Sequence, residues 1–335
     1  MLRMKIVFFE IQGWEKPIIR RALKGHDLKF FKDDLSEENV KAAENADVIS
    51  VFIYSQMDKK ILAKCKKVKF IATRSTGFDH IDLKECKKRN IEVSNVPFYG
   101  ENTVAEHTFA LILALSRNVH KSYLRTIQND FSIKGLKGFD LKGKTLGVIG
   151  AGHIGLHVIK MAKGFGMNVK AFDPDQNNFI AEVLGYEYCD LNELFKNSDI
   201  ISLNLPYNEN THHFINEDTI KKMKKGVIII NTARGGIIDT DALLMGLQSG
   251  KIGGAGLDVV EGEELIQEEK ELLYSKKNAK SMRDIVRNHI LFANENVVFT
   301  PHIAFYSQEA LRRIIETTSE NILGFLSKEF KNSVL

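Results

Sequence analysis

Residues 144–155, Lys-Thr-Leu-Gly-Val-Ile-Gly-Ala-Gly-His-Ile-Gly, restrict the possible folds more than any other stretch of the chain. Gly150, Gly152 and Gly155 form a complete G-x-G-x-x-G, entered from an apolar run over 146–149 and left through a helical pattern over 156–165. In such a strand–turn–helix the first glycine permits the tight turn. The second lets a pyrophosphate approach the backbone, and the third lets the helix pack close to the strand. The pyrophosphate then rests on the unsatisfied N–H groups of the helix N-terminus. A second apolar strand, 168–172, ends in Asp173, where an acidic side chain accepts hydrogen bonds from an adenosine ribose. An ordinary glycine-rich βα turn would leave Asp173 without a role. A carboxylate there repels a 2′-phosphate, and no Arg or Lys follows over 174–180, so the pattern favours NAD over NADP.

This motif sits in mid-chain, so a whole α/β lobe precedes it. Strand candidates at 5–9, 28–31, 48–53, 69–73 and 91–94 alternate with amphipathic segments at 15–23, 37–45, 59–65 and 83–88. That alternation predicts a parallel sheet with right-handed crossovers. A single long helix is expected from Thr103 to about Thr126, with Val104, His107, Phe109, Leu111, Ile112 and Leu115 on its apolar face. Six further strands, at 146–149, 169–172, 200–205, 227–231, 256–259 and 297–300, suit a complete doubly wound dinucleotide domain. An amphipathic helix over 307–326 should cross back onto the first lobe. The expected fold is α/β with two doubly wound parallel-sheet lobes. A Rossmann NAD domain, 102–301, is inserted in a discontinuous flavodoxin-like domain made of 1–101 and 302–335. Residues 264–296 interrupt the regular pattern and read as a helical surface excursion, with a flap over the site as the alternative.

The chain has 335 residues, enough for about two domains. A net charge of +4 is small for this length, and its basic runs at 64–69 and 221–225 suit solvated helix faces. No concentrated basic stripe points to nucleic acid, and no apolar run reaches membrane-spanning length. Cys65, Cys86 and Cys189 are odd in number and widely spaced, without C-x-x-C. They read as reduced thiols of a cytoplasmic protein, not as a disulfide frame or a metal site.

Ligands of doubly wound sheets bind beyond the carboxyl ends of the strands. Three such ends in the second half carry reactive side chains: Arg234 after 227–231, the acidic run Glu261, Glu263 and Glu264 after 256–259, and His302 after 297–300. A guanidinium can hold a carboxylate or keto oxygen through paired donors. A histidine exchanges a proton near neutral pH, and a neighbouring carboxylate favours its charged form. Hydride chemistry on a hydroxy acid needs this set, because the cofactor handles the hydride and the protein handles the proton and the charge. Each residue also has an ordinary structural explanation: an ion pair for Arg234, a solvated acidic turn for the glutamates, and a packed or exposed ring for any of the ten histidines.

These features together resemble the D-isomer-specific 2-hydroxyacid dehydrogenases, and most of all their NAD-dependent D-lactate dehydrogenase branch. The resemblance rests on the internal glycine motif, Asn231-Thr-Ala-Arg-Gly235, Gly256-Leu-Asp-Val259 and Thr300-Pro-His-Ile-Ala-Phe-Tyr306, and it spans nearly the whole chain. It implies His302 as acid/base, Glu263 as its partner (five residues after Asp258) and Arg234 as the substrate-binding cation. It implies that the loop Arg74-Ser-Thr-Gly77 binds the substrate carboxylate through the N–H groups of Thr76 and Gly77. Tyr54, Tyr99 and Phe305 are implied as the lining of a small substrate pocket. His153, Ile154, Pro206, Thr232, Ala233 and Asp258 are implied to lie beside the cofactor with the three glycines and Asp173. A homodimer through the NAD domain is implied as well. Gly100-Glu101 replaces the family's more usual Ser-Pro after the pocket tyrosine, and the excursion after Glu264 is long.

The expected reaction is reversible NADH-dependent reduction of pyruvate to D-lactate, with reduction failing at high pH and oxidation at low pH. Alternatives are a broader 2-oxo acid, glyoxylate or hydroxypyruvate reductase, and an NAD-sensing corepressor. Short-chain dehydrogenase chemistry is disfavoured, since no tyrosine has a lysine four residues on.

Overall fold

A computed structural model describes residues 3–263 and 279–335. The chain forms two compact units: residues 1–100 with 306–335, and residues 101–305. The sequence reading drew the second boundary before His302, whereas compactness puts it after Phe305. The reason is local: the His302 N–H donates to the carbonyl oxygen of Asp258, and the Ala304 N–H to the Asp258 carboxylate. Both bonds tie this loop to the second unit.

In the first unit, strands β1 (Lys5–Phe8), β2 (Asp27–Phe30), β3 (Val48–Val51), β4 (Phe70–Thr73) and β5 (Glu92–Ser94) form a parallel sheet in the order β2-β1-β3-β4-β5. Every residue of β3 and β4 is buried, which is why these strands read as apolar runs and not as alternating patterns. Helices Lys59–Lys64 and Leu83–Lys88 start where Asp58 and Asp82 accept backbone N–H bonds. Helix Gln308–Ser327 returns to this unit, burying Ile315 and Ile322 against Ile6 and Phe8 and stacking Phe325 on Phe70 at 4.5 Å. Residues 37–45, expected as a helix, hold only a 3₁₀ turn at Val40–Ala42. Asn39 is the cause: its side chain accepts from the Ser36 N–H and donates to the Asp34 carbonyl, competing with helical pairing.

In the second unit, β6 (Thr145–Ile149), β7 (Asn168–Phe172), β8 (Glu187–Tyr188), β9 (Ile200–Leu203), β10 (Val227–Asn231), β11 (Ile252–Leu257) and β12 (Val297–Phe299) form a parallel sheet. Its order is β12-β11-β10-β9-β6-β7-β8, so the chain reverses direction across the sheet between β6 and β9. The carboxyl ends there are level, with Ile149 opposite Leu203 and Asn231 opposite Leu257. Strand β8, absent from the sequence reading, is two residues long and shows no periodicity. The expected long helix is two, Glu101–Ser116 and Val119–Ile127, broken at Asn118 with φ 52°. Asparagine tolerates that left-handed turn, and its amide donates to the carbonyls of Leu136 and Lys137. Part of the excursion is a regular helix, Ala279–Phe292; residues 264–278, including Glu264, lie outside the described residues. Among the described residues no helix is long and apolar enough to cross a membrane.

Candidate active site

The glycine turn follows β6 at the point where the strand order reverses. Gly150 has φ +93°, and a Cβ there would meet the Asn204 carbonyl oxygen at 2.4 Å. A Cβ on Gly155 would lie 2.0 Å from the Gly150 carbonyl oxygen, so helix His153–Gly164 can start this close to β6 only with glycine there. Gly152 differs: a Cβ would meet nothing within 4 Å. Its missing side chain is not needed for packing, and the space lies at a helix end that has no side-chain cap. Asp173, at the end of β7, accepts the Ala151 N–H at 2.7 Å and the Asp175 N–H at 2.9 Å, which holds its carboxylate beside the turn. Open space, an uncapped helix N-terminus and an adjacent carboxylate fit the pyrophosphate and ribose of a dinucleotide. Ile154 is half-buried against the core below, and His153 is exposed. The Pro206 carbonyl, beyond β9, accepts the Thr211 hydroxyl at 2.7 Å.

Beyond β10, buried Asn231 shapes the turn that carries Arg234. Its Oδ1 accepts the Ala233 N–H at 3.0 Å, and its Nδ2 donates to the Arg234 carbonyl at 2.9 Å. Thr232 shares a 2.9 Å hydroxyl–hydroxyl hydrogen bond with Thr108. A Cβ on Gly235 would lie 2.2 Å from both the carbonyl carbon and the oxygen of Val260, so the turns after β10 and β11 touch through their backbones.

Beyond β11, Asp258 is only 1% exposed. Its carboxylate accepts the Thr300 hydroxyl at 2.5 Å and the N–H groups of Ile303 and Ala304 at 2.9 and 2.8 Å. Burial opposes its charge, but hydrogen bonds from His107, Thr300 and the two N–H groups outweigh burial and hold its carboxyl below the usual carboxylate range. This clamp keeps His302 in a left-handed conformation, φ 54°, uncommon for any residue but glycine. From there Nδ1 of His302 lies 2.8 Å from Oε1 of Glu263. The other oxygen of Glu263 accepts the Val260 N–H at 3.2 Å. Phe305 stands edge-on to the His302 ring, centroids 6.3 Å apart.

Of the two glutamates described here, Glu263 reaches His302, and Glu261 binds His213 and Arg287 instead. His107, read in sequence only as a position on a helix face, lies 2.9 Å from the Thr300 hydroxyl and 3.4 Å from the Asp258 carboxylate. A histidine on an otherwise apolar helix face was the available signal, because a ring buried there needs a polar partner.

Replacing Asp258 with Asn should cost about 2 kcal/mol, because an amide nitrogen would face a buried N–H donor. The sign of the pH effect follows from the lowered carboxyl. Its stability share is present above the unfolded carboxyl's range and is lost as pH falls through the folded one. Urea midpoints at neutral and acid pH check this. Wild type should lose more stability on acidification than Asp258→Asn, and equal losses would contradict it.

In the first unit, the loop after β4 is built around Arg74, which is 2% exposed. Its guanidinium donates to the Ser50 hydroxyl at 3.0 Å and to the carbonyls of Phe9 and Glu10 at 2.6 and 3.0 Å. Burial pushes its proton affinity down, and Glu15 and Glu10 oppose that. Arg74 therefore supports the loop from below. Above it, the Thr76 hydroxyl donates to the Val96 carbonyl at 2.9 Å and the Ser75 hydroxyl to the Gly77 carbonyl at 2.6 Å. Among the described residues, neither the Thr76 nor the Gly77 N–H donates to a protein acceptor. The Glu10 carboxylate accepts the N–H groups of Phe52 and Tyr54 at 2.8 and 3.0 Å, which fixes the loop that exposes Tyr54. The Tyr99 carbonyl accepts Nε of Arg313 at 2.6 Å.

The family model described as "D-isomer specific 2-hydroxyacid dehydrogenase, NAD binding domain" matches residues 109–304, more than half of the chain. A D-lactate dehydrogenase of Escherichia coli is 38% identical over 323 residues, covering 95% of this chain and 96% of its own. An aromatic 2-oxoacid reductase of Clostridium sporogenes is 38% identical over 304 residues, covering 90% and 89%. The crystal structure of D-lactate dehydrogenase from Aquifex aeolicus, complexed with NAD and lactic acid, superposes with a TM-score of 0.88 at 39% identity, covering 98% and 99%. With a doubly wound sheet, a dinucleotide turn and agreement along nearly its whole length, the chain belongs to the D-isomer specific 2-hydroxyacid dehydrogenases, oxidoreductases whose cofactor is NAD.

Proposed function

We propose that the protein catalyses the reversible NADH-dependent reduction of pyruvate to D-lactate. The observation that carries this reading is the 2.8 Å contact between His302 Nδ1 and Glu263, on a loop clamped to buried Asp258. With Nδ1 committed to Glu263, Nε2 is the atom that gives a proton to the keto oxygen in reduction and takes it from the hydroxyl in oxidation. Glu263 orients the ring and stabilises the imidazolium. Arg234 binds the carboxylate through paired donors and polarises the keto oxygen. The N–H groups of Thr76 and Gly77 also hold the carboxylate, while Tyr54, Tyr99 and Phe305 limit the substrate side chain. NAD, when bound, supplies the hydride to C2 or takes it away. The residues that would hold it are Gly150, Gly152, His153, Ile154 and Gly155 at the pyrophosphate, Asp173 at the ribose, and Pro206, Thr232, Ala233 and Asp258 along its length.

A second reading, reduction of bulkier 2-oxo acids, draws support from the aromatic 2-oxoacid reductase at 38% identity and from the exposure of Tyr54. Initial rates of NADH oxidation with pyruvate, 2-oxoisocaproate and phenylpyruvate separate the two. Preference for pyruvate supports the lactate assignment, preference for a bulky acid reassigns the substrate, and no turnover with any of them rejects both. Replacing Asp173 with Ala should weaken NADH about tenfold, the loss of roughly one charge-assisted hydrogen bond, and raise the relative use of NADPH. An unchanged cofactor preference would refute the ribose contact.

The protein acts as a homodimer through the second unit. Tyr123, Leu124, Ile127, Phe131 and Ile133 are exposed apolar side chains there, with Phe131 76% and Ile133 86% exposed, and they support this reading. A mass of one chain in sedimentation equilibrium would reject the dimer. The cysteines Cys65, Cys86 and Cys189 are unpaired, which supports a reduced, cytoplasmic setting.

A further inference from the structure

Helix Ala279–Phe292 follows the excursion that the sequence alone leaves without a role. Two consecutive side chains of this helix grip one residue, Glu261. Arg287 Nη2 lies 3.2 Å from Glu261 Oε2, and the Asn288 side-chain amide donates to the Glu261 carbonyl at 3.0 Å. Both gripping residues are enclosed: the Arg287 side chain is 11% exposed and Asn288 is 1% exposed. Arg287 also faces Asp284 at 3.3 Å and Asp241 at 3.8 Å. From the other side, His213 Nε2 lies 3.1 Å from Glu261 Oε1.

Glu261 sits inside the turn that aims Glu263. That turn is closed by the Glu263 N–H on the Val260 carbonyl and by the Val260 N–H on the Glu263 carboxylate, both at 3.2 Å, with Gly262 at φ +75° between. Gly235, next to Arg234, packs its backbone on Val260 and Glu261. A shift of Glu261 therefore moves the partner of His302.

We propose that Arg287 and Asn288 are positioning residues, which hold Glu261 by side chain and backbone and so keep Glu263 aligned on His302. The proposal rests on Glu263 being the partner of His302 in the reaction. Arg287 touches neither of them; its effect passes through the turn.

The test compares Arg287→Met, Glu263→Gln and the double variant in the full-length protein. Arg287→Met should lower kcat between about 10- and 100-fold, the scale of a small misplacement of a catalytic group. The KM for the 2-oxo acid and the affinity for NADH should stay near wild type. The double variant should be no slower than Glu263→Gln, whereas a merely structural arginine would add its own loss. In the protein without cofactor, the ¹⁵N imidazole signal of His302 should shift in Arg287→Met as it does in Glu263→Gln. Arg283→Met, on the same helix as Arg287, removes an exposed ion pair to Asp241 and should change none of these. If Arg287→Met does not fold, Glu261→Gln reads the same coupling. An impaired Glu263→Gln beside a wild-type Arg287→Met, or additive losses in the double variant, overturns the positioning role alone. A fully active Glu263→Gln overturns the assignment of Glu263 and this inference with it.

Discussion

Replacing His302 with Gln is expected to lower kcat for reduction between about 100- and 10,000-fold, the range that a positioned acid or base contributes. NADH binding should be unchanged, because the glycine turn and Asp173 stand on other strands of the sheet. Glutamine keeps most of the bulk of the ring and still offers a donor to Glu263. It cannot release or take up a proton near neutral pH. Backbone strain is the competing explanation for an inactive variant, since His302 occupies φ 54°. His302→Asn separates the two: asparagine is at ease in that conformation, so its stability should stay closer to wild type while activity is lost equally. Fluorescence titration with NADH and a thermal melt should accompany each rate measurement. Wild-type turnover by either variant would eliminate His302 as the acid/base.

The second large effect is expected at the glycine turn, where two substitutions of the same chemical size should behave differently. Gly155→Ala places a methyl group 2.0 Å from the Gly150 carbonyl oxygen, a contact of backbone with backbone that no side-chain rotation can relieve. The helix must move away from β6, which costs about 3 kcal/mol and should disrupt the proposed pyrophosphate site. Gly152→Ala meets nothing within 4 Å and has an ordinary extended φ of −74°. It should fold like wild type and lose NADH affinity, because the methyl group enters only the space proposed for the cofactor. Urea unfolding with NADH titration resolves the pair. A Gly155→Ala protein of wild-type stability would contradict the packing argument, and full NADH affinity in Gly152→Ala would contradict the pyrophosphate assignment.

The parts legible in sequence share one property: their signal is local. The turn at 150–155 announces itself because strand, glycines, helix and Asp173 follow one another within thirty residues. Strands β3, β4 and β10 read clearly because burial on both faces demands unbroken apolar runs. Legibility fails where one side chain overrules a pattern. Asn118 splits a helix whose apolar spacing continues past it, and Asn39 reduces a helical segment to a single 3₁₀ turn. Strand β8 is too short to carry a period.

The site divides in the same way. Arg234, Glu263 and His302 can be nominated from sequence because each follows a strand end in a recognisable motif, although Glu263 could be separated from Glu261 only by resemblance to a family. Tertiary structure separates them physically: Glu263 faces His302, while Glu261 is taken by His213 and Arg287. It also gives Arg74 a place beneath the loop that it opens, and brings His107 to Asp258 across more than a hundred residues. Sequence by itself determined most of the elements, the glycine turn and the reactive residue types, because neighbours along the chain dictate backbone conformation and burial. Which carboxylate meets which ring was decided only when distant strand ends were set side by side by the sheet order, since a hydrogen bond depends on distance in space and not on separation along the chain.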